Sequence, residues 1–120
     1  MTGTARDPES HLPMRPVEFD VLLSLAPGTR HGYAILLETE ERTGRRLELG
    51  TLYRALRRME SAGLIARTEP PEAEESGDER RRYYAITALG RAVAAGEMRR
   101  MERLVRAGRR RRLAEGAEEA

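Results

Sequence analysis

The chain has 120 residues, 39% of them apolar, and 22 basic against 20 acidic side chains, enough for one domain with a modest core and an appended helix but not for a typical two-domain enzyme. All of its basic residues are arginine; cysteine and lysine are absent, and the two histidines, His11 and His31, have no ligand-spaced partner, so thiolate and Schiff-base chemistry, disulfides and a metal site are all disfavoured. No apolar run approaches membrane-spanning length and the first 15 residues lack the apolar centre of a signal peptide, which predicts a cytoplasmic protein without a membrane partner. The net charge is only +2, but it is segregated: residues 1–68 carry ten arginines and nine acids, 69–79 six acids and no base, and 80–112 twelve arginines and two acids. Such segregation is either the footprint of a polyanion partner or two solvated segments of opposite sign.

Residues 1–14 are polar and broken by proline, and read as a flexible N-terminal segment. From Pro16 a dense apolar run (Val17, Phe19, Val21, Leu22, Leu23, Leu25, Ala26) ends at Pro27-Gly28; a strand fits its periodicity, but the proline start and two internal acids favour a buried helix. A second helix spans Gly32 to Thr43, with Tyr33, Leu36 and Leu37 at i, i+3, i+4 and Gly44 as its stop. Leu47 and Leu49 then alternate with polar residues in a short link.

The third helix is the most informative element. Leu52, Ala55, Leu56 and Met59 form a core stripe at i, i+3, i+4, i+7, while Tyr53, Arg54, Arg57, Arg58 and Ser61 occupy the remaining surface. Gly50-Thr51 opens it where backbone amides can meet a phosphate, and Gly63 closes it. An arginine-rich face of this kind suits either DNA or plain solvent. Next, Leu64–Thr68 reads as a strand, Glu69–Glu79 as an acidic, proline-broken loop, and Arg80–Ile86 as the return strand, on which alternation sends one of Tyr83 and Tyr84 inward and the other outward. Thr87 caps a final helix running to Arg112. Three helices, a two-stranded hairpin and a helix make a mainly α fold with a small β-hairpin: a winged helix-turn-helix over 15–87, a long C-terminal helix over 88–112 and a flexible tail over 113–120.

Four segments, His31-Gly32-Tyr33, Gly50-Thr51-Leu52-Tyr53-Arg54-Ala55-Leu56, Met59-Glu60-Ser61-Ala62-Gly63-Leu64-Ile65 and Arg81-Arg82-Tyr83-Tyr84-Ala85-Ile86-Thr87-Ala88-Leu89-Gly90-Arg91, resemble, in order and spacing, the PadR family of bacterial transcriptional regulators. The match covers roughly residues 16–105 and resembles the family's compact members, with one C-terminal dimerisation helix. It implies a homodimer that binds a pseudo-palindromic operator on double-stranded DNA, usually as a repressor, relieved by a small-molecule effector or another signal, with no cofactor and no catalysis.

By position, the resemblance puts Gly50, Thr51, Tyr53, Arg54, Arg57 and Arg58 at the recognition helix, Tyr33 near the phosphate backbone and Arg80, Arg81 and Arg82 at the base of the wing. Arg54 and Arg57 project most directly away from the core stripe, whereas Arg58 suits DNA and a surface acid such as Glu38 or Glu41 equally. The acidic loop repels phosphate, so a wing contact falls to its basic base. His31 reads as a turn residue. On the last helix, Leu89, Ala92, Val93 and Gly96 form a stripe for the winged domain, and Ala94, Met98, Met101 and Val105, with Leu104, form a second at coiled-coil spacing for a partner chain; the alternative is that this second face belongs to a monomer's core. Compact relatives hold flat aromatic compounds between their dimer helices, but a chain with no tryptophan and one phenylalanine, Phe19, is poorly furnished for that. The competing function is a winged-helix adaptor that binds a protein and reads no DNA sequence.

Overall fold

A computed structural model describes residues 7–70 and 82–115. Helices α1 (Pro16–Leu25), α2 (Gly32–Thr43) and α3 (Leu49–Ser61) precede strands β2 (Ile65–Thr68) and β3 (Tyr83–Ile86) and the long helix α4 (Ala88–Arg110). A two-residue strand, β1 (Arg30–His31), lies between α1 and α2. Pro16 starts α1 at a position where a missing N–H costs nothing, and Gly44, at φ 71°, ends α2 in a left-handed turn.

Helix α1 is the hub, packing against α2, α3 and α4. Its Val21, Leu22 and Leu25 meet Ile35 and Leu36 of α2, Leu52, Leu56 and Met59 of α3, and Val93 of α4 in one cluster. The stripe read from the third helix is buried in full: Leu52, Ala55, Leu56 and Met59 are each at most 1% exposed. Each large side chain taken from water in this way stabilises the fold by about 1.5–3 kcal/mol. Arg42 fastens α2 to α1, donating from Nη2 to the Asp20 carbonyl (2.9 Å) and Ser24 Oγ (3.1 Å).

The sheet has three strands in the order β1-β3-β2, all antiparallel, and not the two of a simple hairpin. Ile65 pairs with Ile86 and Thr68 with Tyr83, while Arg30 pairs with Tyr84 and His31 with Tyr83 on the other edge of β3. The third strand corrects the alternation rule at the tyrosines. Both are buried, Tyr83 at 3% and Tyr84 at 2% exposure, because Tyr84 enters the core and the His31 ring stands edge-on against Tyr83 at 5.4 Å. Burial raises the Tyr84 phenol above its ordinary pKa. His31 itself is the N-cap of α2, its Nδ1 accepting from Ala34 N–H at 3.1 Å.

Residues 7–14 pack onto the domain. Residues Pro8–His11 form a 3-10 turn against α4, and Leu12 and Met14 join the core. The reason lies in Glu97, whose carboxylate, 3% exposed, accepts from the Met14 backbone N–H at 3.3 Å and from Arg100 Nε and Nη2 at 2.9 and 2.6 Å. The Arg100 hydrogen bonds hold the Glu97 carboxyl below its ordinary pKa against the opposing pull of burial, and the Met14 amide assists. A depressed folded-state pKa means stability that is present above the unfolded value and lost as pH falls through the folded one. The difference in denaturant midpoint between wild type and Glu97→Gln is therefore expected to be largest near neutrality and to shrink as pH drops below about 4.5, the ordinary value for this group. A gap that widens in acid contradicts this assignment.

Candidate nucleic-acid interface

Helix α3 carries the candidate surface. With its apolar stripe committed to α1 and α2, the opposite side is fixed outward, and Arg54 and Arg57 are exposed there. A shallow trough of about 620 Å³ is lined by Arg54, Arg57, Arg58, Ser61 and Ala62. Side chains on a helix lean toward its N-terminus. Arg54 does so, its Nη2 donating to Thr51 Oγ1 at 3.3 Å and its Nη1 lying 3.4 Å from where a side chain on Gly50 would begin. The N-cap Glu48 makes no side-chain hydrogen bond to the first turn. The Arg54 guanidinium thus sits over uncapped backbone amides at the positive end of the helix dipole, an arrangement suited to a phosphate or a base edge.

The three arginines are not equivalent. Among the described residues no carboxylate lies within ion-pair distance of Arg54 or Arg57. Arg58 instead reaches Glu18 on α1, Nε to Oε2 at 3.0 Å. The partner is neither Glu38, which holds Arg30 at 2.9 Å, nor Glu41. Glu18 is distant in sequence but faces α3 because α1 is the hub, and that placement has no local sequence signal. Arg58 is therefore an α1–α3 fastener at the edge of the trough.

Tyr53 is half-buried and packs against the core, where it helps to seat α3. Its hydroxyl oxygen would lie 2.6 Å from a β-carbon on Gly32. Only glycine lets the first turn of α2 approach the Tyr53 ring so closely. Gly32→Ala is expected to push Tyr53 and the start of α3 outward, lowering DNA affinity at least tenfold in a band-shift titration, with Gly32→Ala/Tyr53→Phe recovering part of it; affinity within twofold of wild type for the single variant shows that the ring yields freely. Tyr33, one residue on, is 53% exposed. Gly50 is exposed and Thr51 half-buried at the same end of α3. Arg82 is exposed at the entry to β3, whereas Arg80 and Arg81, and the acidic loop from residue 71 onward, lie outside the described residues.

A second surface lies on α4. Leu89 and Val93 face the winged domain as their spacing predicts, while Gly96 is buried against Leu12 of the N-terminal segment. Ala94 is half-buried and packs against the chain's own core cluster. Met98, Met101 and Val105 line an open apolar groove of about 500 Å³ together with Phe19 and Leu23 of α1. Met98 and Val105 are about half exposed, and Leu104, 58% exposed, lies outside the groove lining. Among the described residues there is no cluster of three metal-binding side chains, and no helix is long and apolar enough to cross a membrane.

The model of the PadR-like family of transcriptional regulators matches residues 21–96, which span α1 through the first half of α4. The chain belongs to that family. PadR-like proteins are transcriptional regulators and not enzymes. An uncharacterized 37.1 kDa protein in transposon TN4556 of Streptomyces fradiae is 40% identical over 84 residues, covering 70% of this chain; the chain spans only 22% of that relative's length. Solved structures show the same fold. A complex structure of H. salinarum RosR, hsRosR-S4, has a TM-score of 0.69 at 25% identity and covers 94% of this chain and 95% of its own. A PadR family transcription regulator from Clostridium difficile R20291 has a TM-score of 0.67 at 26% identity, over 78% of this PadR-like chain and 95% of its own. PadR of Bacillus subtilis, solved with operator DNA, has a TM-score of 0.60 at 20% identity, over 72% of this chain and 48% of its own.

Proposed function

We propose that this chain is a sequence-specific DNA-binding repressor that acts as a homodimer on an inverted-repeat operator. The observation that carries the reading is that neither Arg54 nor Arg57 has an ion-pair partner among the described residues, with Arg54 folded over the uncapped start of α3. Two guanidiniums held apart from any described carboxylate, on a rigid helix, are free to fork onto guanine edges or phosphates. Tyr33 and Arg82 are exposed as well, and in this reading they meet the phosphate backbone. The B. subtilis protein, which has this fold, was solved with operator DNA, and that supports the assignment.

The groove of Phe19, Leu23, Met98, Met101 and Val105 is the surface for the second copy, and the exposed Leu104 on the same helix is open to it as well. A partner's α4 there buries methionine and valine side chains that are otherwise wet, and two-fold symmetry places two recognition helices about one DNA turn apart. Met101→Asp/Val105→Asp is expected to convert the dimer into a folded monomer in sedimentation and to cost at least 100-fold in operator affinity; a variant that remains dimeric removes this groove as the interface. Relief by a small-molecule effector belongs to the same reading, and Phe19 is the one aromatic side chain among the groove residues, which favours an apolar ligand over an aromatic sandwich.

Selection of bound duplexes from a random pool tests the whole. The expected product is a single inverted repeat whose binding falls steeply with added salt. Absence of duplex binding at low salt overturns the reading and leaves the protein-binding adaptor in its place.

A further inference from the structure

We propose that Glu97 is a positioning residue: by clamping residues 7–14 to α4 it fixes the angle between the winged domain and the dimer helix, and so sets which half-site spacing the dimer accepts. The inference rests on the dimer reading above.

The ties between α4 and the rest of the chain are unevenly distributed. Its first turns are held by the wing and α1: Thr87 Oγ1 donates to the carbonyls of Gly63 (2.6 Å) and Leu64 (3.0 Å), Arg91 Nη2 donates to the Ala26 carbonyl at 3.0 Å, and Val93 is fully buried. Past Val93 the restraint on this side passes to the N-terminal segment. Leu12 reaches Gly96 so closely that its Cδ1 would lie 3.1 Å from a β-carbon there. Glu97 then binds the Met14 amide, and Arg100 locks the carboxylate in place from the next turn. On the other flank α1 and α4 part beyond Val93 to form the open groove, which within the single chain leaves that side of α4 without a matching brace.

Beyond Glu97 the helix runs on to Arg110. At 1.5 Å per residue that is a lever of about 20 Å, whose far end moves roughly 3.4 Å for a tilt of about 10°. A displacement of that size matches about one base-pair step, given that half-sites 10–10.5 base pairs apart lie about 34–36 Å apart. A buried carboxylate with a backbone donor and a fixed arginine is a rigid joint; an apolar contact at the same place tolerates sliding. Neither the core stripe nor the DNA face needs a charge at position 97, and the brace accounts for one.

The test uses the full chain and the repeat selected by wild type, rebuilt with spacers lengthened and shortened by single base pairs. Wild type is expected to prefer one spacer by at least tenfold. Glu97→Ala and, independently, Leu12→Ala are expected to flatten that preference to about twofold or move it by one base pair, while affinity for an isolated half-site stays within twofold and the protein remains dimeric. Glu97→Gln, which keeps the acceptor for Met14 but loses the charged lock with Arg100, is expected to fall between. Should Glu97→Ala fail to fold, Leu12→Ala and Glu97→Gln decide the matter. Folded dimeric variants with the wild-type spacer profile overturn the inference alone; a wild-type chain that selects no repeat overturns the DNA-binding reading and the inference with it.

Discussion

Replacing Arg54 and Arg57 together by alanine is expected to erase operator recognition while leaving the protein folded and dimeric. Neither guanidinium is engaged with a described carboxylate, so truncation leaves no partner buried and unpaired, and the melting temperature should move little. A good bidentate contact to a base is worth about 1–3 kcal/mol of discrimination. Since the two residues are neighbours on one helix their losses need not add, but a combined reduction of at least 100-fold per dimer is expected from two copies of each. The single variants divide the work: a base-reading arginine relaxes preference at one operator position, whereas a phosphate-binding arginine weakens all sequences alike and lowers the salt slope by about one unit. Arg58→Ala serves as the contrast. Its surface pair with Glu18 is worth at most about 1 kcal/mol of stability, and its effect on DNA should be smaller than that of either neighbour. A double variant that still selects the wild-type operator with equal affinity removes α3 as the reading element.

Gly90→Ala is expected to be the most damaging single methyl group in the chain. A β-carbon there would fall well inside van der Waals contact of the Leu64 carbonyl oxygen and within 2.9 Å of Ile86 Cγ1. The obstacle is backbone, and the same Leu64 carbonyl is already engaged by Thr87 N–H at 3.1 Å, so neither side can step back without opening the junction of wing and helix. Overpacking of this kind costs about 3 kcal/mol or more. Alanine's better helix propensity returns about 1 kcal/mol, leaving a net loss of roughly 2 kcal/mol and a fall in Tm of about 8 °C. Gly108→Ala in the same helix is the control. The nearest atom to a β-carbon there is Leu113 Cδ1 at 3.7 Å, an ordinary contact, so only the propensity gain remains and Tm should rise or hold. Equal melting temperatures for the two variants refute the close approach at Gly90.

The parts of this fold that were legible in the sequence are those governed by a local period. Leu52, Ala55, Leu56 and Met59 declared α3 because a buried stripe on a helix must recur every three to four residues, and the outward direction of Arg54 and Arg57 followed from the same geometry. What escaped depends on contacts between distant residues. Strand β1 is two residues long, too short to carry any alternation, yet it puts His31 over Tyr83 and so removes the solvent face on which one tyrosine was expected. Glu97 sits in a charged stretch that reads as exposed, and it is buried because a segment 83 residues earlier covers it. Arg58 finds Glu18 across 40 residues for the same kind of reason. Ala94 packs against the core cluster, and alanine carries too little side chain to report which of two adjacent helix faces it occupies.

The central position of β3 bears on how such a regulator evolves. A wing hung on its outgoing strand would have to be re-registered whenever the tip changed length, but here the return strand is gripped on both edges, by Ile65–Thr68 on one and Arg30–His31 on the other. The chain between Thr68 and Tyr83 can therefore be lengthened, shortened or recharged by drift without disturbing the register that seats Tyr84, Thr87 and the start of α4. Linking segment and scaffold are free to diversify at different rates, so a lineage can alter the one while inheriting the other unchanged.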